Sequence, residues 1–116
     1  MTARLRTQGP FAVVVLLSLV VLFAPGSATP TLYPGLDKVV HLGLFAALAL
    51  TGRWAGVPAT RLACGLVAYA VGSEMLQGVL PIGRDAEVLD ALVDVVGVAL
   101  GLVAVRLVPT RQVGRA

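Results

Sequence analysis

The chain has 116 residues, 58% of them hydrophobic and 13% charged, with nine Lys and Arg against six Asp and Glu for a net charge of +3. A soluble domain holds about 25% charged residues and about 45–50% apolar ones, and a fold this small cannot bury the difference, so the expected solvent is lipid. The basic residues fall at the ends of apolar runs and not on one aromatic-bearing surface, which argues against a nucleic-acid partner, and the single cysteine, Cys64, excludes an internal disulfide or a multi-cysteine metal site.

The first apolar run covers residues 10–24, after Arg4 and Arg6. Fifteen residues rise about 23 Å, slightly short of a hydrocarbon core of roughly 30 Å, so flanking residues must contribute. Pro10 suits a first helical turn, and Pro25–Gly26 stops the helix. A second reading makes this run a secretory signal cleaved after Ala28. In either case residues 29–35 lie outside the cytoplasm. Residues 24–35 hold three prolines, two glycines and two threonines, the composition of a loop, and Tyr33 suits an interfacial anchor.

The second span is expected over residues 36–54. It opens with Asp37, Lys38 and His41 and closes with Arg53 and Trp54 before the Gly56–Val57–Pro58 turn. The third covers residues 60–80 and carries Glu74 and Gln77, three apart and near one face. Cys64, inside it, reads as a small packing residue. Pro81–Ile82–Gly83 ends the span, and Arg84, Asp85 and Glu87 form a polar connection. The fourth covers residues 88–108, with Asp90 and Asp94 in its first two turns and Gly97 and Gly101 continuing that stripe as G-x-x-x-G. Pro109 stops it. The fold class is therefore all-α: one membrane domain, a bundle of four transmembrane helices.

Charge sets the orientation. With both termini on one side, that side collects Arg4, Arg6, Arg53, Arg61, Arg106, Arg111 and Arg115, and the other receives only Lys38 and Arg84. The positive-inside rule then makes both termini cytoplasmic, in a multi-pass protein of the bacterial inner membrane. Every acidic residue and the only histidine fall toward the outer side. Glu74 lies about six residues, or ~9 Å, below the outer end of its helix, and Asp94 is about as deep. An Asp at a helix centre costs on the order of 2.5–3.5 kcal/mol on insertion scales, so these groups are expected to face one another in a pocket that opens outward.

Sign and reach limit the pairings. Lys38 and Arg84 are the only outer cations for six carboxylates. Arg84 can hold Glu74, Asp90 or Asp94 in a bidentate pair. His41 can share a proton with Asp37, one turn earlier, or with a carboxylate on a facing helix. Three readings follow. One is a polar network that fixes helix register. Another is a site in which His41 and Glu74 handle protons as catalytic groups, Lys38 and Arg84 hold an anionic group, and Asp37, Gln77, Asp90 and Asp94 bind or orient. The third is a metal site from His41, Glu74, Asp90 and Asp94. With no His pair at i, i+4 and no HExxH motif, no metal and no other cofactor is expected.

Asp37-Lys38-x-x-His41, then Glu74-x-x-Gln77, then Arg84 with Asp90, Asp94, Gly97 and Gly101, in this order and spacing, resemble the VanZ-like family of small bacterial membrane proteins. The resemblance covers about residues 36–102. It implies a polytopic membrane protein, and the family's namesake is linked to low-level resistance to the glycopeptide teicoplanin. The family usually has Asn where this chain has Asp94, so an acid replaces an amide that both donates and accepts. The expected function is a cell-envelope role, binding or acting on a membrane lipid, a lipid-linked envelope precursor or another surface ligand. The alternatives are a non-catalytic interaction protein with a structural polar network, and a small proton- or cation-linked transport element, as a homo-oligomer since four short helices enclose little space.

Overall fold

A computed structural model describes residues 2–23, 36–80 and 88–107. Among these the chain forms four helices and no strand: α1 Thr2–Phe23, α2 Leu36–Trp54, α3 Ala59–Val79 and α4 Val88–Leu107. The bounds of α2, α3 and α4 agree with the expected spans to within a residue. The start of α1 does not. It begins at Thr2, and Pro10 lies inside the helix instead of opening it. Proline removes one backbone hydrogen bond and crowds the preceding turn, but it does not end the helix here. Tyr33, Arg84, Asp85, Glu87, Arg111 and Arg115 lie outside the described residues.

Both ends of the α2–α3 connection follow from local chemistry. Gly56 takes φ +92°, a conformation that costs glycine nothing. Its N–H donates to the Arg53 carbonyl (3.0 Å) and the Val57 N–H to the Gly52 carbonyl (3.1 Å). This pair of bonds is the Schellman closure, which satisfies carbonyls that a helix end leaves open. The Arg53 guanidinium donates across the same turn to the Val57 carbonyl (2.8 Å). At the other end of α3, Leu80 is extended (φ −71°, ψ 144°), as the residue before a proline is pushed to be.

The core is one apolar cluster fed by all four helices: Leu22 from α1, Phe45 and Leu48 from α2, Leu62 and Leu66 from α3, and Val98 from α4. The most extensive helix pair is α2 with α4, and small residues set how closely they approach. A Cβ added at Gly97 would lie 2.5 Å from the Leu42 carbonyl oxygen and 3.2 Å from Phe45 Cβ, and one at Gly101 would strike the Ala46 carbonyl and come 2.7 Å from Ala49 Cβ. The G-x-x-x-G stripe is thus the contact surface on which α4 lies against α2. On the α1–α3 side, Ser18 and Tyr69 share a hydrogen bond (2.8 Å), and the Tyr69 ring packs on Phe45 with centroids 5.6 Å apart.

The outside of the bundle is apolar. Helices α3 and α4 are long and apolar enough to cross a membrane, with mean hydropathies of 1.3 and 2.3, and only 33% and 28% of those apolar stretches is buried within the bundle. The core helix of a water-soluble fold would be mostly covered. Here Leu16, Val20, Met75, Val79, Leu92 and Val96 are all exposed, a surface suited to an apolar medium. The apolar part of α1 is shorter, Gln8–Phe23, and α2 has comparable length but carries Asp37, Lys38 and Arg53. Cys64 is exposed on α3, so it is not the buried packing residue its apolar neighbours suggest. Its position on the helix turns it away from the Leu62–Leu66–Ala70 stripe.

Candidate functional site

Each of three helices buries one stripe, and each stripe turns polar at the same end of the bundle. On α2, His41 continues the row of Leu44, Phe45 and Leu48. On α3, Leu62, Leu66 and Ala70 give way to Ser73, Glu74 and Gln77. On α4, Asp90 and Asp94 precede Gly97, Val98 and Gly101. The spacing of three or four residues makes each stripe a single helix face, so the packing that builds the apolar core also drives the polar groups together.

His41 Nδ1 and Asp94 Oδ1 lie 2.8 Å apart in a fully buried hydrogen bond that joins α2 to α4. Of the two partners open to His41 from the sequence, this is the facing-helix carboxylate. Asp37 belongs to the first turn of α2, and its side chain is outside the described ones. The Lys38 ammonium sits 3.1 Å from Asp90 Oδ1. That oxygen accepts no hydrogen bond of good geometry among the described residues, so the contact is an ion pair set by charge and distance. Asp94 Oδ2 is likewise buried without a hydrogen-bond donor among the described residues.

His41, Glu74 and Asp90, one from each helix, offer ligand atoms that all lie within 4.8 Å of one another, and all three residues are buried. Distant in sequence, they form a compact N,O,O group in space. Gln77 faces elsewhere. Its amide Nε2 donates to the Leu22 carbonyl, one of the last-turn acceptors that α1 cannot satisfy internally. Its described contact therefore ties α1 to α3. Arg84 lies outside the described residues.

An apolar groove of about 440 Å³ runs along the α2–α4 seam, walled by Val39, Leu42, Leu89, Leu92 and Val96, with Lys38 also on its lining. This volume falls within the range of small-ligand sites, about 300–1,000 Å³. Sequence inspection missed the groove, because its walls come from two helices 50 residues apart and each residue alone reads as ordinary membrane-facing surface. Comparison with protein-family models, with curated proteins and with solved structures returns no match.

Proposed function

We propose that this chain is a multi-pass protein of the bacterial cell envelope, related to the VanZ-like family, whose outward-facing polar site binds or acts on an anionic membrane lipid or lipid-linked precursor. The observation that carries the proposal is the meeting of an apolar groove with a buried ionisable cluster at Lys38. The groove suits an acyl or prenyl chain lying between α2 and α4, and Lys38, on its lining, carries its ammonium to within 3.1 Å of Asp90. Buried ionisable groups within membrane helices are costly and are most often tied to function.

In this proposal all four helices span, both termini are cytoplasmic, and the cluster opens to the outer leaflet. Lys38 and Arg84 hold the anionic headgroup. Glu74 and His41, the latter oriented by Asp94 (2.8 Å), handle protons at the bound group. A structural role is favoured for one part of the network only: the Gln77–Leu22 and Ser18–Tyr69 bonds tie helices together without reaching the cluster.

The test is to purify the full chain from its native membrane and identify the co-purifying lipids by mass spectrometry. An anionic lipid should accompany the wild type and be lost from Lys38→Ala and Arg84→Ala at unchanged abundance. An identical lipid complement in all three would discard the proposal. Orientation has its own check: a periplasmic reporter fused after Arg84 should be active, and activity after Trp54 instead would reverse the topology.

A further inference from the structure

We infer that His41, Glu74 and Asp90 bind one divalent transition-metal ion of the Zn²⁺ class, with Asp94 holding the histidine in its ligating tautomer. Three observations meet at this point.

The first is geometry. Ligand atoms at about 2.0–2.2 Å from a shared metal stand at most about 4.4 Å from one another. In a tetrahedral site such atoms are about 3.4 Å apart; the three side chains present theirs within 4.8 Å of one another, so side-chain rotation of about an ångström closes them on one ion. They come from three separate helices and are 3%, 5% and 7% exposed. They are not a solvated acidic patch of the kind that collects on surfaces by chance.

The second is the state of the histidine. Asp94, 0% exposed, accepts from His41 Nδ1 at 2.8 Å. A carboxylate on Nδ1 selects the Nδ1–H tautomer and leaves the Nε2 lone pair as the available ligand. Carboxylate–histidine pairs of this form are the usual support behind a metal-bound imidazole. The acid at position 94 suits this task, because an amide would be a weaker acceptor for the imidazole proton.

The third is charge. Among the described residues, Lys38 pairs with Asp90 (3.1 Å) and His41 with Asp94 (2.8 Å). Oδ1 of Asp90 and Oδ2 of Asp94 are buried without a hydrogen-bond donor among those residues. Buried acceptor oxygens without donors are costly, and a divalent ion among these carboxylates supplies positive charge to them. One imidazole with two carboxylates gives three ligands of the donor types that zinc accepts, with a position left open. It is a poor match to the six to eight oxygens that calcium takes.

The metal deepens the proposed function and rests on it only for what fills the open position. A metal beside Lys38 would add to the attraction for an anionic headgroup.

The experiment uses the purified full chain in detergent, stripped with chelator, dialysed, and titrated with Zn²⁺ and with Co²⁺ as a spectroscopic probe. The wild type and Cys64→Ser should each take up one ion per chain, give a Co²⁺ ligand-field spectrum with nitrogen ligation, and unfold at a higher temperature when loaded. His41→Ala and Glu74→Gln should lose the ion while keeping their helicity and elution volume. Asp94→Asn should bind it about 10–100-fold more weakly. Absence of stoichiometric uptake by the wild type overturns the inference, and so does equal uptake by either folded ligand variant. If His41→Ala does not fold, Glu74→Gln and the wild-type Co²⁺ spectrum decide. A wild type that carries the anionic lipid but takes up neither Zn²⁺ nor Co²⁺ removes the metal and leaves the lipid site. Uptake of metal without lipid does the reverse.

Discussion

At one end of the bundle α2 and α4 meet through Phe45, Leu48, Ala49, Val98 and Gly101, and at the other through His41, Asp90 and Asp94. The faces are the same and the helix approach is continuous, but the chemistry inverts within about one helical turn. The apolar end gains stability simply by excluding its surroundings. The polar end gains it only if each buried group finds a partner, since an unpaired one forfeits its solvation. Asp90 Oδ1 and Asp94 Oδ2 remain without hydrogen bonds among the described residues. The bundle thus holds itself together at one end and keeps unspent binding capacity at the other.

The largest effects should come from breaking each end separately. Phe45→Ala removes a fully buried ring and should cost about 3–5 kcal/mol. Asp94→Ala strands the buried His41 Nδ1–H and should cost about 1–3 kcal/mol. Thermal unfolding in detergent measures both. They part on function: metal affinity should survive in whatever Phe45→Ala protein folds and fall about 10–100-fold in Asp94→Ala, and equal loss in both would erase the distinction between the ends. Asp94→Asn keeps an acceptor and should cost only about 1 kcal/mol.

Next in size is the shared backbone contact. Gly101→Val would drive side-chain atoms into the Ala46 carbonyl and Ala49 and should cost about 1–3 kcal/mol. Gly43→Ala, with nothing within 4 Å of its added Cβ, should instead stabilise α2 by about 0.5–1 kcal/mol. Opposite signs for the two glycines in unfolding measurements are required if close α2–α4 approach, and not glycine content, governs stability. The smallest effect is expected for Gln77→Leu, which removes the tie to the Leu22 carbonyl. Interhelical hydrogen bonds in membranes average about 0.6 kcal/mol, with a maximum near 1.7. Unchanged metal uptake in this variant would confirm that Gln77 belongs to the scaffold, and lost uptake would return it to the site.

The sequence by itself determined three helices almost to the residue, because prolines and glycines punctuate the chain at Pro25–Gly26, Gly56–Pro58 and Pro81–Gly83 and local backbone chemistry needs no tertiary partner. It also determined that His41, Glu74, Asp90 and Asp94 lie toward one end, since antiparallel helices with short connections carry depth directly from residue number. What it left open was rotation. A period of 3.6 says which residues share a face, but not which neighbouring helix that face meets. Only the tertiary structure decided that His41 pairs with Asp94, that Lys38 meets Asp90, that Gln77 turns to α1 and that Cys64 points outward. The start of α1 was missed for a related reason: Pro10 reads as a boundary when only local cost is weighed, yet the helix continues through it from Thr2. The trio His41, Glu74 and Asp90 meets the same limit. The sequence offers them, with Asp94, as one candidate metal set but shows no ligand spacing, and only the packing of three helices brings one atom of each within 4.8 Å of the others.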